Sequence, residues 1–142
     1  MNKKTVGVTA GEYFESGFNC AESVSLTIAE AFQMDSDTDI PSVASFFGGG
    51  FGSTHQEICG AISGAVLGVG LLFGRQEADK NIDEHKEIIK EVLDQFNQKY
   101  ATTNCGKLTE NLNEGEQKHK CTTIVKEIAE TVFEKIQQRI EP

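Results

Sequence analysis

Apolar positions along this chain recur with the period of a helix, and no stretch of useful length alternates as a half-buried strand would. The clearest stripe lies near the end. Ile124, Val125, Ile128, Ala129, Val132, Phe133, Ile136 and Ile140 recur at steps of three and four, predicting a helix from about Gln117 to Arg139. A second stripe of Ile88, Ile89, Val92, Leu93, Phe96 and Tyr100 follows a cap at Asn81 and Glu84. Glu87, Lys90, Glu91 and Asp94 take its opposite side as a solvated face. Earlier, Asn19 with Glu22 three residues on caps a helix reaching about Phe32, in which Val24, Ile28 and Ala31 continue the face begun by Cys20. Thr9 with Glu12 predicts a short helix from about Ala10 to Ser16, stopped by Gly17.

The stretch from Gly48 to Arg75 organises the rest. Thr54 three residues before Glu57 has capping-box spacing, which starts a helix at Thr54 and puts Cys59 in its second turn. From Ile58 to Gly74 there is no charged residue, so the helix is either buried in protein or inside a membrane. It falls short of the ~20 apolar residues a span needs. It also carries Gly60, Gly64, Gly68, Gly70 and Gly74, each costing about 1 kcal/mol relative to alanine inside a helix. Gly60, Gly64 and Gly68 line one face and admit another backbone, so this is expected to be a central helix wrapped by its neighbours.

Two loops invite functional readings that their details do not sustain. Asp35, Asp37 and Asp39 resemble a calcium loop, but the glycine and glutamate it needs fall on Ile40 and Phe46. A solvated acidic turn before a short helix, Pro41 to about Phe47, fits better, with Asp39 as its cap. The cluster Gly48, Gly49, Gly50 and Gly52 has no preceding strand and lacks the Lys-Ser/Thr pair of a phosphate loop, so it reads as a tight turn for close packing. Ala101 to Glu116 is loop-like and holds Cys105, expected to be mobile and accessible. The fold class is therefore all-α: one domain, residues 1–142, of about five helices around a glycine-rich apolar helix.

Composition narrows the partners. With 22 acidic against 13 basic residues the net charge is −9, which excludes the basic face that nucleic acid requires and disfavours an anionic membrane surface. The first residues lack the apolar core of a secretory signal, so a cytoplasmic location is expected. Structural disulfides are rare there, which makes Cys20, Cys59, Cys105 and Cys121 informative. No two form CxxC, so any joint chemistry is assembled by the fold. Cys20, Cys59 and Cys121 fall early in predicted helices, where amides and the macrodipole stabilise a thiolate. Cys20 is the candidate attacking thiol, with Cys59 next, and Cys105 the candidate resolver. His55, four residues before Cys59, would support a thiolate there, whereas His119 is placed away from Cys121.

Cys20 in NCAESV, the segment CGAISG from Cys59 to Gly64, Cys105 and Cys121 together resemble the C_GCAxxG_C_C family of redox-active proteins. The resemblance runs from Cys20 to Cys121. It implies thiol redox chemistry and names no substrate or electron partner. The leading expectation is dithiol/disulfide exchange among the four cysteines, with no cofactor required and with a redox partner protein or small-molecule oxidant outside. The alternative is that the same four residues ligate zinc or an iron–sulfur cluster. A third reading is a helical packing module, homodimeric through its glycine-lined helix, in which the thiols are replaceable.

Overall fold

The computed structural model describes residues 1–34 and 39–140. In chain order these form α1 (Lys3–Glu15), α2 (Cys20–Ala31), a 3-10 turn (Ser42–Ala44), α3 (Gly60–Phe73), α4 (Asp83–Tyr100), α5 (Cys105–Leu108) and α6 (Glu114–Ile140). Among the described residues there is no strand, only an isolated antiparallel bridge between Ile58 and Asn104. The all-α bundle is as the periodicity predicts.

Several boundaries differ, each for a tertiary reason. α1 begins at Lys3 rather than near Thr9, because Asn2 Oδ1 accepts from the Thr5 amide at 2.9 Å. Gly7 and Gly11 give its first half a poor intrinsic propensity, but they let it lie against α6. A Cβ at Gly11 would be 3.2 Å from Lys126 Cδ, and one at Gly7 would overlap the Glu130 side chain. The short helix expected from Pro41 to Phe47 is only the 3-10 turn, with no side-chain cap, and Asp39 contributes through its carbonyl to the Val43 amide at 2.9 Å. Asp35 and Asp37 lie outside the described residues. α6 starts at Glu114, three residues earlier than the stripe suggests, and Asn113 Oδ1 accepts from the Glu116 amide at 2.9 Å.

The largest correction concerns α3, which starts at Gly60 and not at Thr54. The Cys59 amide donates to Thr103 O at 2.7 Å and the Cys105 amide to Glu57 O at 2.9 Å. Residues 57–59 are thereby committed to extended pairing and cannot enter a helix. Thr54 Oγ1 bonds instead to Gly50 O at 2.7 Å.

The glycine spacing of α3 is its seam with α2. A Cβ at Gly64 would stand 2.6 Å from Ala21 O, and one at Gly68 would stand 2.9 Å from Ile28 Cγ2. Around that seam Val24, Ile28, Ile62, Val125, Val132, Phe133 and Ile136 are fully or almost fully buried, each contributing about 1.5–3 kcal/mol by leaving water. α6 closes the bundle by packing on α1, α2, α3 and α4. A strip of α3 stays open at Val66 and Gly70. Among the described residues no helix is long and apolar enough to cross a membrane.

Candidate functional site

The four cysteines, scattered through the sequence, line one small cavity with Gly60, Ala61, Leu108, Thr109, Ile124 and Val125. Local chemistry places each of them. Cys20 opens α2 behind a reciprocal capping box, in which Asn19 Oδ1 accepts from the Glu22 amide and Glu22 Oε1 from the Asn19 amide, both at 2.8 Å. Asn19 Nδ2 donates to Ser45 O at 2.9 Å, and Ser45 Oγ donates to Glu22 Oε2 at 2.9 Å. The head of α2 is therefore tied to the segment leading into the glycine loop.

Cys59 is the N-cap of α3. Cys105 opens α5 behind Asn104, whose Oδ1 accepts from the Lys107 amide at 3.0 Å. The bridge pairs Ile58 with Asn104, so Cys59 and Cys105 fall on the same face of that short ladder, diagonally placed. This overturns the expectation of a mobile loop thiol: Cys105 is helical and only 8% exposed. Cys121 enters from the body of α6 rather than from its start, and is half-buried.

Glycines let these parts close. A Cβ at Gly60 would overlap Cys20 Sγ, and one at Gly50 would lie 2.8 Å from Cys105 Cβ. The loop itself makes a left-handed turn: Gly49, Gly50, Phe51, Gly52 and Ser53 all have φ between 58° and 69°. For non-glycine residues this conformation costs about 1–2 kcal/mol each, so the surroundings hold Phe51 and Ser53 there. In that shape the Gly49 amide donates to Cys20 Sγ at 3.4 Å.

All four thiols are free, and the cavity of about 20 Å³ is just large enough for one water-sized occupant. Burial decides their acidity. The helix-start argument predicts a depressed Cys20, and amides of Gly49, Ala21 and Gly60 do pull it down, but desolvation is larger and leaves it raised. Cys59 is pushed up to about 12, first by burial and then by the neighbouring Cys20 charge. Burial, with Cys20 and Cys105 nearby, takes Cys121 to about 11, and Cys105 is raised by burial and Cys20. Cys20 thus weighs on each of the other three.

His55 is at the site but not where its spacing suggests. With residues 54–59 non-helical it does not share a face with Cys59; its Nδ1 lies 3.4 Å from Cys105 Sγ. The glycine cluster before it is a sequence signal of a turn, and nothing in the spacing marks Cys105 as the partner. Among the described residues no three His, Cys, Asp or Glu side chains converge closely enough to hold a metal ion. The four sulfurs share a cavity without forming a ligand cage.

The family model described as "Putative redox-active protein (C_GCAxxG_C_C)" matches residues 18–135, a span that contains all four cysteines. The chain is also similar to an "Uncharacterized protein" of Archaeoglobus fulgidus, 27% identical over 132 residues that cover 85% of this chain and 86% of that one. No solved structure matches the chain.

Proposed function

The chain belongs to the C_GCAxxG_C_C family of redox-active proteins, and from that premise we propose that it works by dithiol/disulfide exchange among Cys20, Cys59, Cys105 and Cys121. One observation carries the reading: four free thiols from four separate elements line the same small cavity. Elsewhere a buried cysteine is a small hydrophobe; four lining one void are the reason to read them together. Closing a pair removes two protons and two electrons, which pass to an outside disulfide or other oxidant, and the reverse reaction returns them. No cofactor is needed for that step. A cytoplasmic location, where the thiols start reduced, fits it.

The raised pKa values suit a protein that holds its thiols protonated until a partner arrives. Attack then requires a thiolate made at the moment of exchange. Four sulfurs are also the number that zinc or an iron–sulfur cluster takes, and a cation would relieve the mutual charge penalty of these thiolates. That alternative needs the sulfurs to move together first, since no ligand cage is present among the described residues.

Native mass spectrometry of protein purified without oxygen separates the readings. Dithiol chemistry predicts a metal-free mass that falls by one or two hydrogen pairs on mild oxidation, with peptide mapping naming the pair. Extra mass equal to zinc or a cluster, lost when any one cysteine is changed to serine, overturns it. Four thiols inert to both treatments leave the packing module.

A further inference from the structure

Among the described residues, one cavity thiol has a side-chain base against it: Cys105, with His55 Nδ1 at 3.4 Å from its sulfur. The contact is built into the backbone. Asn104 Nδ2 donates to Gln56 O at 2.9 Å and the Cys105 amide to Glu57 O at 2.9 Å. Glycine at 106 is what allows the His55 carbonyl to come so near, since a Cβ there would overlap that oxygen. Residues 55–57 and 104–106 are thereby clamped as one unit. His55 is exposed and held at φ 60, a conformation that L side chains rarely adopt and that persists only where surroundings impose it.

The other thiols have nothing equivalent. Cys20 meets backbone amides, which stabilise a thiolate but cannot accept its proton. Cys59 is as buried as Cys105, and it and Cys121 are pushed up to about 12 and about 11, first by burial and then by neighbouring thiols. Cys105 is itself only 8% exposed, but the side chain against its sulfur is the exposed His55, which links the thiol to solvent.

We propose that Cys105 and His55 form a proton-transfer dyad that opens the exchange, with Cys105 as the attacking thiol, His55 as its base, and a disulfide arriving from solvent as the substrate class. This rests on the dithiol reading above, and it reverses the order that helix position alone suggests for Cys20 and Cys105. His55, carrying its proton on Nε2, takes the Cys105 Sγ proton on Nδ1. The Cys105 thiolate attacks one substrate sulfur; a Cys105–substrate S–S bond forms as the substrate's own S–S bond breaks. The departing thiolate takes the proton back from His55. Cys20, which lines the same cavity, then attacks Cys105 Sγ. The Cys20–Cys105 bond forms, the second substrate half leaves, and it is protonated by the proton Cys20 gives up. The protein is oxidised by two electrons and the substrate reduced to two thiols. A nucleophile and base within hydrogen-bond reach are the signature of such activation, and the contact is often loose before substrate binds.

The test uses the full reduced chain and the small aromatic disulfide 5,5′-dithiobis(2-nitrobenzoate) in limiting amount at neutral pH. Thionitrobenzoate release gives the rate, and mass mapping after acid quench gives the modified cysteine. The variants are C20S, C105S, H55N and H55Q; asparagine tolerates positive φ, so H55N keeps the loop should H55Q lose it, and circular dichroism checks both. C20S is expected to trap the adduct on Cys105, C105S to lose the fast phase, and the folded His55 variants to react at least about 100-fold more slowly. A first adduct on Cys20, Cys59 or Cys121, or His55 variants within twofold of wild type, overturns the dyad. If those variants react normally while the wild-type chain still closes an internal disulfide, the dyad fails and the dithiol reading stands. If the Cys105 adduct forms with the expected His55 dependence yet wild type never closes a disulfide, the dithiol reading is overturned, with the dyad's attack still established.

Discussion

Replacing Gly60 by alanine tests the contact on which the site's geometry turns. Inside a helix the exchange would stabilise by up to about 1 kcal/mol. Here the new methyl would overlap Cys20 Sγ, and on its other sides it would meet Gly48 Cα at 3.0 Å and the Gly49 amide nitrogen at 3.2 Å. Both of those are backbone, and Gly49 is also the donor to Cys20 Sγ, so the sulfur must give. Overpacking of this kind costs about 1–3 kcal/mol; with the obstruction backed by main chain, the expected net loss is about 2 kcal/mol. Urea unfolding under reducing conditions should show it as a midpoint about 1 M lower at unchanged slope, given slopes of about 1–3 kcal/mol/M for small domains. Cys20→Ala supplies the control. It removes the overlapping sulfur and leaves only the two backbone contacts, so G60A should cost at least about 1 kcal/mol less in that background. An equal loss in both backgrounds would refute the claim that Gly60 exists to seat the Cys20 thiol.

Other glycines separate close approach from simple flexibility. Gly70→Ala, with nothing within 4 Å of its added carbon, should stabilise by about 0.5–1 kcal/mol; Gly64→Ala, facing Ala21 O at 2.6 Å, should destabilise in the same urea assay. Ala101 ends α4 at φ 61, so Ala101→Gly should raise the thermal midpoint by relieving about 1–2 kcal/mol of left-handed strain, less the extra chain entropy of glycine. Stability should also fall in alkali. Cys59 is held up at about 12 and Cys121 at about 11 in the folded chain, against about 8.5 for an unfolded thiol. The native state therefore binds more protons once pH exceeds the unfolded value: stability from these thiols is complete below about pH 8.5 and drains away as pH rises toward 11–12. Urea midpoints followed across that range should drop less steeply for Cys59→Ala; identical slopes would exclude the thiol as the cause.

What the sequence made legible was local. The head of α2 reads directly from Asn19 and Glu22, because a capping box is closed within four residues. α4 and most of α6 read from stripes long enough to fix their period. The misread elements were decided by partners far along the chain. Thr54 and Glu57 do have capping-box spacing, yet Glu57 O and the Cys59 amide are spent on Cys105 and Thr103. α5 is one turn, too short to show a period, though Asn104 before Cys105 was a usable cap signal. The first half of α1 was hidden because Gly7 and Gly11 look like helix breakers until α6 lies beside them. His55 was placed beside the wrong cysteine for the same reason: its partner is Cys105. The helix-start rule for thiolates failed at Cys20 because the desolvating neighbours come from other elements, such as Leu108, Ile124 and Val125 around the cavity.

The segment from Cys59 to Gly64 thus joins packing to chemistry. Gly60 and Gly64 are four residues apart and meet Cys20 and Ala21, consecutive residues of α2, so a single helix seam sets both the depth of the bundle and the position of one thiol over the cap of the next helix. Disulfide formation adds a demand that a tightly packed core resists, since the two Cβ atoms must come to about 3.5–4.5 Å with a defined torsion between them. A sulfur wedged among side chains would have nowhere to swing. At this site the missing Cβ at residue 60 gives the Cys20 sulfur its seat, and a void of about 20 Å³ adjoins it, leaving the sulfur room to turn while backbone amides fix the helix heads around it. On the dithiol reading the helical cost of glycine at 60 is then offset twice, by the close approach of α2 and by the seat it leaves for the thiol that α2 carries.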